Sequence, residues 1–108
     1  MELIYVCSPY KGDVEYNVAK TRRYCRFAFT QGVVPFAPHL HNTQFLDDTV
    51  LDERNKGMIL GLHMLNRSDE LWAFGDKNTE GMIAEIQAAE RLGIPIKYFN
   101  DRCERRGE

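Results

Sequence analysis

Glu70-Leu71-Trp72-Ala73-Phe74-Gly75-Asp76-Lys77-Asn78-Thr79-Glu80-Gly81-Met82-Ile83-Ala84-Glu85-Ile86 changes its period partway along. Glu70–Phe74 is a short apolar run of strand formers, and Gly75–Asn78 is a polar turn. From about Glu80 the period becomes helical: Met82, Glu85, Ile86 and Ala89 share one face, while Glu80, Gln87, Glu90 and Arg91 fall elsewhere. The helix stops at Gly93, and Ile94-Pro95-Ile96-Lys97-Tyr98-Phe99 reads as the next strand, near a sheet edge. Glu85 therefore stands among apolar neighbours at the mouth of a sheet, where desolvation can tune a carboxylate as acid, base or nucleophile. The plainer alternative leaves Glu85 half exposed and paired with an Arg or Lys.

The same alternation extends back to the N-terminus. Leu3-Ile4-Tyr5-Val6-Cys7 is an almost continuous apolar run bounded by Ser8-Pro9, as expected of a central strand covered on both faces. From Val14 to Gln31, Val14, Val18, Thr21, Cys25 and Ala28 recur at helical spacing up to Gly32. Val33–Ala37 is a second strand, and its internal Pro35 assigns it to a sheet edge. Residues 38–48 keep no clean period and are expected to be an irregular loop of the kind that closes over a site. Asp48 or Thr49 is the expected N-cap of a helix running to about Asn66, with Gly57 and Gly61 four apart on a face open to close approach.

Four strands alternating with helices, joined by connections long enough for right-handed crossovers, predict an α/β fold. The expected architecture is a small flavodoxin- or Rossmann-like three-layer sandwich whose four-stranded parallel sheet has the order 2-1-3-4. Ligands bind such sheets outside the carboxyl ends of the strands. That rule selects residues 7–12, 36–41 and 75–80 with the start of the last helix, and it sets Asp69 at the opposite end in a structural role. At 108 residues the chain is read as one domain over 1–100, with 101–108 a charged, frayed tail.

A formal charge of −2 argues against a broad nucleic-acid or membrane surface. Cys7, Cys25 and Cys103 are odd in number and lack C-x-x-C spacing, so they read as reduced thiols. With no basic flank or long apolar run at the N-terminus, the expected compartment is the cytoplasm. Cys7-Ser8-Pro9-Tyr10-Lys11-Gly12 offers a hydroxyl, a cation and turn amides at a strand end, suiting an anionic or hydroxylated ligand. It lacks the Walker spacing, and Asp13 stands where a thiol phosphatase loop needs Arg. An ordinary turn with an exposed lysine is the alternative. His39 and His41 lack a nearby carboxylate or thiolate at ligand spacing, so they read as ligand-lining residues and no metal or cofactor is expected. Tyr10, Tyr16, Phe36 and Trp72 are candidates for stacking on a base, or simply core.

The C-S-P-Y-K-G turn after the first strand, with T-E-G-M-I-A-E-I-Q-A-A-E-R-L-G-I-P-I later, resembles the nucleoside 2-deoxyribosyltransferase family and its relatives that hydrolyse deoxynucleoside 5'-monophosphates. The resemblance implies an N-glycosidic-bond hydrolase or transferase acting on a nucleoside or nucleotide, with Glu85 as the nucleophile. It implies that Thr79 helps hold the sugar or the nucleophile, and that Ser8, Lys11 and Gly12 contact sugar or phosphate. Tyr10 in the same turn, His39 and His41 in the loop after the second strand, and Gly81 at the start of the last helix are the remaining candidate substrate-binding residues. The family carries an acidic residue eight positions before the Asp that opens the third strand; here that position is Gly61. The departure leaves room for two rivals: a non-catalytic nucleotide-binding module, and a purely structural or interaction protein. Ile59, Leu60 and Met64 lack intramolecular cover once Met58, Leu62 and Leu65 face the sheet. A homodimer or higher homo-oligomer through residues 49–66 is therefore expected, and the family resemblance implies the same.

Overall fold

The computed structural model describes residues 1–107. In chain order its elements are β1 (Leu3–Cys7), α1 (Val14–Thr30), β2 (Val34–Phe36), α2 (Pro38–His41), a 3-10 turn (Asn42–Gln44), α3 (Leu51–Arg67), β3 (Glu70–Phe74), α4 (Glu80–Leu92) and β4 (Ile96–Phe99). The four strands form one sheet of order β2-β1-β3-β4. All three pairings are parallel, with Tyr5 opposite Phe36 and Leu71, and Ala73 opposite Tyr98. Pro35 sits on the outer strand, where its missing N–H costs no ladder bond.

Side-chain alternation along β1 and β3 divides the core in two. Tyr5, Cys7, Leu71 and Ala73 pack with Leu65 of α3 and Met82, Ile86 and Ala89 of α4. Ile4, Val6, Trp72 and Phe74 pack on the other face with Tyr24 and Ala28 of α1. The buried stripe of α1 is Thr21, Tyr24 and Ala28; Val14, expected inside, is exposed because it opens the helix beyond the end of the sheet. At the bottom of the sheet, the Asp69 carboxylate accepts the Leu3 N–H at 2.7 Å, the structural role expected of it. Among the described residues no helix is long and apolar enough to cross a membrane.

Several local expectations change. Residues 38–44 are helical rather than irregular, with Pro38 opening α2 where its fixed φ suits a first turn. The N-cap of α3 is Val50, without a side-chain cap. Asp47 and Thr49 instead bond one another, and Asp47 N–H donates to Glu53, so the capping groups are used one turn earlier. Gly57 and Gly61 admit side chains rather than a backbone: added Cβ atoms would meet Leu46 at 3.3 Å and the Tyr5 hydroxyl at 3.2 Å.

The segment after β4 is docked rather than frayed. Asn100 N–H donates to Glu104 O and Arg106 N–H to Tyr98 O, folding the segment back along β4. Asp101 pairs with Lys20 and accepts the Tyr24 hydroxyl at 2.8 Å. Asp101 and Arg106 are the charges that dock the segment: the first is held by Lys20 and Tyr24 of α1, the second donates to the Gly75 carbonyl and the Asn78 side chain.

Candidate active site

Glu85 lies in the second turn of α4, on the face turned toward β1. Thr79 caps that helix by accepting the Met82 N–H on its hydroxyl at 3.3 Å, which fixes where the first turn begins and so where Glu85 points. Among the described residues the carboxylate has no Lys or Arg ion-pair partner. Tyr5 Oη donates to Oε2, and Cys7 Sγ lies 3.3 Å from Oε1. Because Tyr5 and Cys7 are two apart on one strand, both side chains reach the same face. Burial raises the Glu85 pKa, and the two hydrogen bonds oppose that rise by favouring the anion. Burial likewise pushes the Tyr5 phenol and the Cys7 thiol well up, with the Glu85 charge adding to it, so both remain protonated donors at neutral pH. The result is a carboxylate held at both oxygens by neutral groups and stripped of much of its water.

Gly61 of α3 stands behind this pair. With a hydrogen in place of a side chain, it leaves the space into which the Tyr5 hydroxyl projects. A carboxylate side chain at 61 would compete with that hydroxyl for the same volume.

The turn after β1 is held by Asn17 of α1, whose side-chain amide donates to the carbonyls of Tyr10 and Lys11 at 3.0 and 3.1 Å. Gly12 takes φ +100, a conformation that side chains rarely adopt, and Asp13 caps α1 through the Tyr16 N–H. Lys11 is exposed at the crest of this turn. Ser8 differs from the expected role: its hydroxyl is buried and closed against Thr21 at 2.9 Å, so the side chain serves the α1 interface rather than a ligand.

From the other side, His39 stacks on Tyr10 with ring centroids 4.6 Å apart. Burial lowers the His39 pKa, while a hydrogen bond to the Ser8 backbone and the Asp48 charge work the other way. His41 turns away from His39. Its ring lies between Phe36 and Phe45, 5.3 Å from each, and Phe36 in turn packs on Tyr5 at 6.1 Å. Among the described residues no three His, Cys, Asp or Glu side chains gather for a metal ion. Gly81 opens toward solvent in the first turn of α4, where an added Cβ would meet nothing within 4 Å.

Two groups of the site escaped the sequence reading. Tyr5 and Cys7 read from the sequence as part of a strand covered on both faces; their spacing of two at the carboxyl end of the central strand is the signal that joins them. Asp48, a capping residue by its sequence context, places its charge near both Tyr10 and His39. Two surface cavities, of about 250 and 260 Å³, lie away from Glu85, one beside α1 and β4 and one between α3 and α4.

The fold is shared with solved structures. A 2-deoxyribosyltransferase from Bacillus psychrosaccharolyticus superposes with a TM-score of 0.69 at 22% identity, over 91% of this chain and 72% of that one. A 2-deoxyribosyltransferase from Leishmania mexicana gives 0.63 at 20% identity, over 93% and 65%. A conserved protein from Enterococcus faecalis V583 gives 0.65 at 20% identity, over 92% and 63%. The chain thus spans about two thirds of the length of these neighbours, and at such identities the likeness carries the fold. No curated protein matches the sequence. Residues 2–99 match the family described as Domain of unknown function (DUF7768), and the chain belongs to that family.

Proposed function

We propose that the protein cleaves the N-glycosidic bond of a nucleoside or nucleoside 5'-monophosphate, with Glu85 as nucleophile. The observation that carries this reading is the carboxylate held at both oxygens by Tyr5 and Cys7 at the carboxyl end of the sheet. In the first step a Glu85 oxygen bonds to the anomeric carbon while the C–N bond breaks, its electron pair leaving with the base nitrogen, which takes a proton from solvent. A close carboxylate stabilises the oxocarbenium-like transition state, as in retaining glycosidases. Water attacking the glycosyl ester completes hydrolysis; the nitrogen of a second base attacking the same carbon completes transfer. Either way the carboxylate is regenerated.

The turn bearing Tyr10, Lys11 and Gly12 suits the sugar or a 5'-phosphate, and the Tyr10–His39 stack offers an aromatic wall for a base. The 2-deoxyribosyltransferases of the same fold agree in reaction class. The functional unit in this reading is a homo-oligomer joined through α3. Met58, Ile59, Leu60 and Leu62 are 64, 56, 41 and 48% exposed there; the exposed set differs from the expected one, since Met58 and Leu62 face outward rather than toward the sheet while Met64 is partly covered.

A second reading, a nucleotide-binding module without turnover, is favoured by Gly61 and the Tyr5 hydroxyl that fills the space beside it. Incubation with a panel of nucleosides and 5'-monophosphates, read by chromatography of free base, separates the two. Base release by the parent and its loss in Glu85→Gln is expected. Tight binding without release decides for the second reading, and release undiminished by Glu85→Gln removes Glu85 from the chemistry.

A further inference from the structure

On the sheet face away from Glu85, the docked C-terminal segment creates a groove that the proposed reaction does not use. It is lined by Phe27 of α1 and Gln31 just after it, Trp72 of β3, Lys97 and Phe99 of β4, and Cys103 and Arg105; its volume is about 250 Å³. The floor is aromatic: Trp72 and Phe99 lie 5.1 Å apart by centroid, and Phe27 meets Phe99 at 5.3 Å. Two cations stand over that floor, Lys97 Nζ 5.6 Å from the Trp72 ring and the Arg105 guanidinium 5.7 Å from Phe99.

The cations are held in place by neighbouring structure. Arg105 bridges to Phe99 in an antiparallel pair, and the reversal that brings it there runs through Cys103 at φ +62, the one non-glycine residue among those described with a positive φ. Asn100 ties that turn by accepting the N–H groups of Arg102 and Glu104 on its side chain. Lys97 shares Glu70 with Trp72: the carboxylate lies 3.5 Å from Nζ and accepts the indole N–H at 2.8 Å. Among the described residues Arg105 has no carboxylate partner, so the groove carries more positive charge than it neutralises.

We infer that this groove is a second binding site, taking a small anion carried on a planar apolar body, such as an aryl phosphate or carboxylate. The anion would sit between Lys97 and Arg105, where an apolar floor limits competition from water, and the planar body would lie along Phe27 and Phe99. A volume at the low end of small-molecule sites restricts the ligand to one or two rings.

Trp72 is the only tryptophan in the chain, so its indole N–H gives a single, unambiguous reporter in a proton–nitrogen correlation spectrum. An anion drawing Lys97 from Glu70 alters the carboxylate to which that N–H is bonded. Phenyl phosphate, which has no sugar for the Glu85 site, is expected to move the resonance saturably. Inorganic phosphate or phenol alone should bind about tenfold more weakly or worse, since each supplies half of the interaction. Arg105→Ala and Lys97→Met should each weaken phenyl phosphate by a similar factor while Glu85→Gln leaves it unchanged. If Lys97→Met perturbs the fold, the exposed Arg105 carries the test alone. No shift at roughly 10 mM phenyl phosphate, a concentration covering even weak fragment affinities, would overturn the inference. So would an equal response to inorganic phosphate, a response that survives Arg105→Ala, or one abolished by Glu85→Gln.

Discussion

Gly61 offers a quantitative test of the site, because helix propensity and packing act on it in opposite directions. Glycine inside a helix costs about 1 kcal/mol relative to alanine, so Gly61→Ala should stabilise α3 if nothing else intervened. The added Cβ would meet Tyr5 Oη at 3.2 Å, tighter than ordinary contact, and the hydroxyl cannot retreat freely because it is bonded to Glu85. Crowding of this kind costs on the order of 1 kcal/mol, so the single substitution should come out near neutral. Tyr5→Phe removes the obstructing oxygen along with its hydrogen bond to the carboxylate, at a cost of about 2 kcal/mol. In that background Gly61→Ala should recover its full gain, so the double-mutant cycle should show a coupling of about 1 kcal/mol. Urea unfolding followed by circular dichroism on the four proteins measures it. A gain of the same size in both backgrounds would mean that Tyr5 does not fill the space beside Gly61, and the account of the missing acidic side chain would fail with it.

Glu85→Gln should abolish base release yet leave the protein at least as stable at neutral pH. The raised folded-state pKa means that protonation favours the folded chain, so the parent should lose stability relative to Glu85→Gln as pH rises from the ordinary carboxylate value through the raised one. Melting temperatures of both across acid to neutral pH check the sign; a parent that gains on the variant with rising pH contradicts it. Lys11→Ala should weaken 5'-monophosphates far more than nucleosides in competition binding, and equal weakening would exclude a phosphate contact. Light scattering should give a multiple of the 12.5 kDa chain mass that falls to the monomer in Leu60→Glu; a monomeric parent would refute an interface through α3. Arg106 donates to the Gly75 and Phe99 carbonyls and to the Asn78 side chain, just before the cap of α4. Arg106→Ala should therefore speed hydrogen exchange over residues 78–85, and unchanged exchange there would show the contact to be idle.

The pattern along the chain carried the fold because each strand and helix announces itself locally. Leu3–Cys7 and Glu70–Phe74 are apolar runs of strand length, α4 begins at a Thr-capped turn and ends at a left-handed glycine, and Pro35 marks an edge. With four such elements, parallel crossover rules leave few orders, and 2-1-3-4 is the observed one. Within the candidate site, the sequence made legible what one element defines, the place of Glu85 on the buried face of α4; Thr79 entered through the family resemblance, and its capping of α4 is visible only in the structure. What depends on two elements meeting was not legible. Whether the Ser8 hydroxyl faces a ligand or Thr21 is decided by how α1 lies on the sheet, and no residue near Ser8 encodes that angle. Tyr5 is the clearest case. Its sequence neighbours make it a core strand residue, which it is; that its hydroxyl also reaches Glu85, 80 positions away, depends on Gly61 of a third element leaving the space. Gly61, which in one dimension is only a glycine where the resembled sequences carry an acid, is in three the residue that leaves room for the Tyr5 hydroxyl bonded to Glu85.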